Sequence, residues 1–249
     1  MEIYIRHIRI AFILTSWLLL FSLGCSKSNH LMIFSAASLK EPLSELAQDF
    51  RSHENVELQF TFAGSITLSN QIKRGMPADV FISAGEDPMN MITSTNMVNL
   101  LTNQLVVIVP KDRQINGSIS EVLASSKRIA IADPKLAPAG KYSKEALSNM
   151  GLWESLKPKF VFGGNVKTAL AWVNFGNADA GIVYLTDTFK NQNVKIVSPI
   201  SSTFHSPITY SIVILDASEH KDSANYFIDF LQSPSSQKVF EKYGFGIPE

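Results

Sequence analysis

The chain predicts an α/β fold in two lobes, each a mixed sheet flanked by helices, with the ligand cleft between them. Three observations carry that expectation. Apolar or alternating runs are repeatedly followed by very small residues, a capping-type residue and an amphipathic stretch, the order of a strand, a tight loop and a helix start. Two strongly apolar runs, 105–109 and 208–215, read as strands that carry the chain from one lobe to the other and back. With 45% hydrophobic residues over 249 positions, the chain has enough apolar surface for one large or two small cores.

The first 24 residues read as a targeting segment outside the fold. Arg6, His7 and Arg9 form a basic start, and 10–23 is an apolar run too short for a stable membrane span. Cys25 follows directly on Gly24 and is the only cysteine, so no internal disulfide can form. Its position after an apolar segment and a glycine resembles the acylated cysteine of bacterial lipoproteins. Leucine is common three places before such a cysteine, where Ser22 stands here. A plain cleaved signal peptide therefore stays open, and both readings export the protein. Residues 25–29 form a polar tether.

The first lobe is expected to comprise 30–106 and 208–249. A buried strand at 31–34 leads through Ser35, Ala36, Ala37 and Ser38 into a helix over 39–50, with Leu39, Leu43, Leu46, Ala47 and Phe50 on one face. Ser38 with Glu41 three residues later has the pattern of a capping box, so its bland role is to cap that helix. A second strand over 56–62 ends in Ala63, Gly64 and Ser65, and a helix over 66–74 begins at once. Two strands that each deliver a serine to a helix start at their carboxyl ends place both serines at the edge of the sheet where α/β proteins bind ligands. A third strand spans 78–84, with Asp79 at its start in a structural role, and 89–98 is a further amphipathic stretch.

The second lobe is expected over 107–207. A strand over 128–132 stops at Asp133 and Pro134, because proline lacks an N–H and restricts the residue before it. Pro138 has the backbone angle favoured in a first helical turn. Ala139 and Gly140 then leave the amides of a helix over 139–150 open. Unpaired amides at the positive end of a helix dipole can hold an anion, although an ordinary strand–loop–helix connection has the same sequence. A strand over 160–162 leads through Gly163 and Gly164 to Asn165, a preferred N-cap residue, and so to a helix over 166–175. Tyr184 lies near the end of a strand over 180–185, where tyrosines usually pack with the hydroxyl bonded locally. A short strand at 195–197, the return strand 208–215 and helices over 223–231 and 235–243 complete the chain.

Composition excludes several classes. The whole chain has 22 basic and 22 acidic residues; losing Arg6, Arg9 and Glu2 with the leader leaves 20 and 21, a net charge of −1. Without a basic patch, nucleic acid is not an expected partner. The five histidines, at 7, 30, 53, 205 and 220, show no metal-ligand spacing. With no nucleophile–base pair evident, the chain is not expected to be an enzyme. No cofactor is expected.

Taken together in order, Phe34 to Leu39, Phe62 to Ser65, Pro77 to Ala84, Asp133-Pro134 with Pro138-Ala139-Gly140, Asn165-Val166, Gly181 to Tyr184 and Lys242 to Phe245 resemble the molybdate-binding components of bacterial ABC importers. Those proteins have the periplasmic-binding-protein (type II) fold, and the resemblance spans nearly the whole mature chain. It implies a molybdate or tungstate oxyanion held by the Ser38 and Ser65 hydroxyls, by backbone N–H groups at Ala139 and Val166, and by the Tyr184 hydroxyl. Molybdenum would then be held only through its oxo groups, with no bare cation site. It also implies a monomer in the periplasm or cell envelope, membrane contact only through a lipid on Cys25, and a membrane permease as partner. Gly64 departs from a serine common beside the binding serine, and Asn165 from a common acidic residue.

Hydroxyls and helix-terminal amides suit a tetrahedral dianion, because they supply converging donors without a counter-charge. Lys141 and Lys167 lie near the helix starts and read as rim charges. A set made only of donors disfavours a protonated oxyanion such as hydrogen phosphate, while sulfate differs from molybdate only in size. The alternatives are a binding protein for sulfate, phosphate or an organic acid, and an exported hydrolase of phosphate or sulfate esters. A carboxylate ligand would normally call for an arginine, and none stands at these helix starts. A sensory effector domain of a transcription factor shares the fold, but the export signal argues against it.

Overall fold

The computed structural model describes residues 30–53 and 56–248. The leader, the tether and Cys25 lie outside the described residues. The strands are β1 His30–Ala36, β2 Glu57–Ala63, β3 Val80–Ala84, β4 Ser94–Asn103, β5 Leu105–Pro110, β6 Ile129–Ala132, β7 Phe160–Gly163, β8 Ala180–Tyr184, β9 Val194–Pro199 and β10 Ile208–Leu215. The α-helices are α1 Lys40–His53, α2 Ser65–Lys73, α3 Ile119–Ser125, α4 Pro138–Asn149, α5 Trp153–Leu156, α6 Val166–Asn174, α7 Lys221–Gln232 and α8 Pro234–Lys242.

These strands form two five-stranded sheets, ordered β2-β1-β3-β10-β4 and β7-β6-β8-β5-β9. The two follow one plan. In the first, β1 runs parallel to β2 and β3, and β10 is antiparallel to β3 and β4. In the second, β6 runs parallel to β7 and β8, and β5 is antiparallel to β8 and β9. The inner parallel strands β3 and β6 are almost continuously apolar, as expected where helices cover both faces; Val80 to Ala84 and Ile129 to Ala132 are buried throughout.

β5 belongs wholly to the second sheet, and the passage between sheets is at Gln104, two residues before the position expected from the sequence. A larger difference is at 89–98, which does not form one amphipathic element. Met89–Met91 is a single 3₁₀ turn, and Ser94–Asn103 is a ten-residue edge strand. Its polar residues masked it. Its partner is β10, with register shifts between Tyr210 and Ser211 and between Ile212 and Ile214, irregularities typical of edge strands. Asp79 has the structural role expected: its buried carboxylate accepts the Met32 N–H at 2.8 Å and the Ser218 hydroxyl at 2.6 Å.

Register brings the functional ends together. Ala36 pairs with Ala63, so β1 and β2 end level. Ala132 pairs with Gly163, so β6 and β7 also end level, and Leu105 pairs with Tyr184. Each strand end feeds a loop into a helix, and the two sets of loops face each other across the cleft.

Candidate functional site: a donor-lined cleft between the lobes

Ser38, Ser65, Ala139, Val166 and Tyr184 line one cavity, together with Ala36, Ala37, Gly64, Ala84, Pro138 and Asn165. It measures about 10 Å³, room for about one water molecule and nothing extended. The larger groove of about 750 Å³ beside His30, Asp79 and His220 lies at the opposite end of β1.

Ser38 does not cap α1. It sits inside the 3₁₀ turn Ala37–Leu39, buried, with its Oγ 2.8 Å from the Tyr210 hydroxyl. The capping-box reading fails because the helix begins two residues later, at Lys40. Ser65 is the first residue of α2, after the extended N-cap Gly64. Its Oγ accepts the Ala84 N–H at 3.1 Å, which leaves the hydroxyl proton free to donate elsewhere.

On the other side, α4 opens with Pro138 and then Ala139, so the Ala139 amide has no carbonyl one turn back. Asn165 caps α6, its Oδ1 accepting the Thr168 N–H at 3.1 Å, and Val166 presents the first amide of that helix. Ala139 and Val166 are both buried. Tyr184 is 1% exposed, and among the described residues its hydroxyl has no hydrogen-bond partner. Burial pushes its pKa well above the ordinary tyrosine value, so the group stays a donor.

Lys167 is more than a rim charge. Its Nζ lies 2.7 Å from Glu41 on α1 and 3.2 Å from Asp187, whose side chain is fully buried. Asp187 also accepts the Tyr184 N–H at 3.2 Å. The Lys167–Asp187 contact is an ion pair rather than a well-directed hydrogen bond, since Asp187 Oδ1 lacks a partner of acceptable geometry. Burial lowers the Lys167 pKa, but the Asp187 and Glu41 carboxylates outweigh it and hold it above the usual value. Burial raises the Asp187 carboxyl, with Lys167 opposing that shift only in part. Lys141 behaves as expected of a rim residue, half exposed and paired with Asp87.

The lobes meet closely at Gly64. A Cβ there would lie 2.4 Å from the Leu136 carbonyl oxygen and 2.9 Å from that of Gly164. The serine expected from the resemblance does not fit this approach, which accounts for the departure at Gly64. The Thr67 N–H, near the start of α2, donates to the same Leu136 carbonyl at 3.2 Å. One open helix end is thus satisfied by the opposite lobe.

Sequence reasoning missed Tyr210 and Asn103. Tyr210 is fully buried in β10, and its hydroxyl touches both Ser38 Oγ and Asn103 Nδ2. The alternation of β10 marks Tyr210 as inward-facing, but no local signal says which cavity it approaches.

The bacterial extracellular solute-binding protein family model matches residues 31–246. A Bacillus subtilis protein provisionally named as an ABC transporter substrate-binding lipoprotein, YvgL, is 36% identical over 93% of this chain and 95% of its own. The molybdate-binding protein ModA of Escherichia coli is 34% identical over 86% of this chain and 88% of its own. The solved periplasmic molybdate-binding protein of Azotobacter vinelandii superposes with a TM-score of 0.79 at 23% identity, over 88% of this chain and 100% of that one. That likeness shows the shared two-lobed fold. The chain belongs to the bacterial extracellular solute-binding protein family.

Proposed function

We propose that this protein captures molybdate, and tungstate with it, in the cleft between its lobes and presents the anion to the membrane permease of an ABC importer. The observation that carries this reading is the buried Tyr184 hydroxyl, without a partner among the described residues and facing a small cavity also lined by two hydroxyls and two helix-start amides. Such a hydroxyl costs stability unless a ligand accepts from it. Relatives named as molybdate-binding proteins supply the identity of the acceptor.

In this reading Ser38 and Ser65 donate from the first lobe, and Ala139, Val166 and Tyr184 from the second. The first lobe is the β2-β1-β3-β10-β4 sheet with its helices, and the second the β7-β6-β8-β5-β9 sheet with its own. The site binds and releases without chemistry on the anion. The protein acts outside the cytoplasm as a monomer, tethered through a lipid on Cys25. Among the described residues no helix is long and apolar enough to cross a membrane. A ligand that bridges both lobes shifts the population towards the closed form, and closure is the signal that the permease reads.

The test is thermal unfolding of residues 29–249 with molybdate, tungstate, sulfate and phosphate in separate samples. A ligand at 100 times its dissociation constant adds about 2.7 kcal/mol, a rise of several degrees for a chain of this size. A rise with molybdate and tungstate alone is expected. A rise only with sulfate or phosphate overturns the choice of anion, and no rise with any overturns the oxyanion reading. Ser65→Ala is expected to weaken molybdate binding by about 1.5–3 kcal/mol, one hydrogen bond to a charged acceptor, with the fold retained. Calorimetric titration checks this, and unchanged affinity overturns the site assignment.

A further inference from the structure

We propose that Asn103 acts through Tyr210 to fix Ser38 as a donor towards the ligand, so that these two positioning residues set the preference for fully deprotonated oxyanions. The proposal rests on the site just described and extends it two residues deeper.

The direction of each hydrogen bond follows from the one before it. The backbone N–H of Gln104 can only donate, and it lies 2.8 Å from an Asn103 side-chain atom, which must therefore be the amide oxygen. The other end of that side chain is then the NH₂ group. It gives one hydrogen to Thr186 Oγ1 at 2.8 Å and the other to Tyr210 Oη at 3.1 Å. Tyr210 Oη now accepts from Asn103 and has a single proton to place. Among the described residues the acceptor within reach is Ser38 Oγ, 2.8 Å away. If Ser38 donated instead, the phenol proton would be left buried without an acceptor, in a ring that is 0% exposed. Tyr210 thus donates to Ser38, and the Ser38 proton points to the cavity it lines. Burial holds the Tyr210 pKa far above the ordinary value, so the relay keeps its proton throughout the physiological range.

The consequence is selectivity. An oxyanion that still carries a proton needs an acceptor in the site, and the relay denies it Ser38. Asn103 is also the last residue of β4, beside the point where the chain enters the second sheet. Its bond to Thr186 ties the relay to the turn that follows Tyr184. Tyr210 and Tyr184 meet edge to face, with centroids 6.0 Å apart.

The experiment is calorimetric titration at pH 8 of the wild type, Tyr210→Phe, Asn103→Asp, the double variant and Ser65→Ala, with molybdate and, by displacement, inorganic phosphate. Tyr210→Phe is expected to hold molybdate within about threefold of wild type while narrowing its preference over phosphate by about tenfold, the effect of one restored hydrogen bond. Asn103→Asp reverses the relay. Its carboxylate accepts from Tyr210, Tyr210 accepts from Ser38, and Ser38 turns a lone pair to the ligand. Molybdate binding should then weaken by about tenfold or more, with the preference narrowed further.

The double variant should fall back to the selectivity of Tyr210→Phe alone, because Asn103 then has no route to Ser38. Ser65→Ala should weaken both anions and leave their ratio unchanged. Equal losses for both anions in Tyr210→Phe and Asn103→Asp overturn the relay and leave the site standing. An unaffected Ser65→Ala overturns the site itself, and the relay with it. Should Asn103→Asp fail to fold, Tyr210→Phe, which removes one oxygen, decides the question by its selectivity alone.

Discussion

Lys167→Met is expected to lower the unfolding free energy by about 3–5 kcal/mol at pH 8, the usual cost of removing one partner from a buried ion pair. Methionine keeps much of the apolar stem, so the loss falls on the charge. Asp187 is left with a fully buried side chain, a bond from the Tyr184 N–H, and the unfavourable charge of Glu41. The pH dependence has a definite sign. Asp187 already titrates above the usual carboxylate value in the folded protein, and removing Lys167 takes away the strongest influence holding it down. A carboxyl whose folded pKa is raised contributes its stability in full below the unfolded pKa, and that contribution is lost as pH rises through the folded pKa. The deficit of the variant should therefore be small near pH 4 and widen as pH rises. Urea unfolding of both proteins at pH 4.5, 6 and 8 checks it. A deficit that does not change with pH would mean that packing, not the ion pair, is responsible.

That same pair shows where the sequence was legible and where it was not. Strand–helix junctions are local: small residues after an apolar run, then a serine, a proline or an asparagine, follow from backbone geometry within ten residues. Hence Ser38, Ser65, Ala139 and Val166 could be placed at helix starts, even though Ser38 was misread as a cap. Lys167 could not be read correctly, because Asp187 lies on another element of its own lobe and Glu41 meets it only across the cleft. Tyr210 and Asn103 escaped for the same reason: the relay joins the turn after β1 to β10 and β4, elements far apart in sequence number. β4 was lost differently. A polar edge strand buries too little to show the apolar alternation that marked β2, and its pairing with β10 alone defines it. Gly64 looked like a mild departure and proves to be a point of close backbone approach between lobes.

Tyr184→Phe is expected to act with opposite signs on the free and the bound protein. In the bound state the hydroxyl is one donor to a charged acceptor, so molybdate affinity should fall by about 1.5–3 kcal/mol, roughly ten- to a hundredfold. In the ligand-free form with the lobes in contact, the same buried hydroxyl has no partner among the described residues, which costs that state about 1–3 kcal/mol. When the lobes part, water can satisfy it. The hydroxyl therefore penalises closure around an empty cleft and rewards closure around an oxyanion, and both effects widen the gap between the free and the bound populations. Phenylalanine keeps the ring and its edge-to-face contact with Tyr210, and removes the penalty with the donor. The ligand-free variant should melt no lower than the wild type, and its closed fraction, followed by small-angle scattering or by distance labels on the two lobes, should rise. Lower affinity with an unchanged closed fraction would reduce Tyr184 to a simple ligand contact. Lower affinity with a raised closed fraction would show that one hydroxyl keeps the empty protein open, so that a permease meets closed lobes only when there is an anion to hand over.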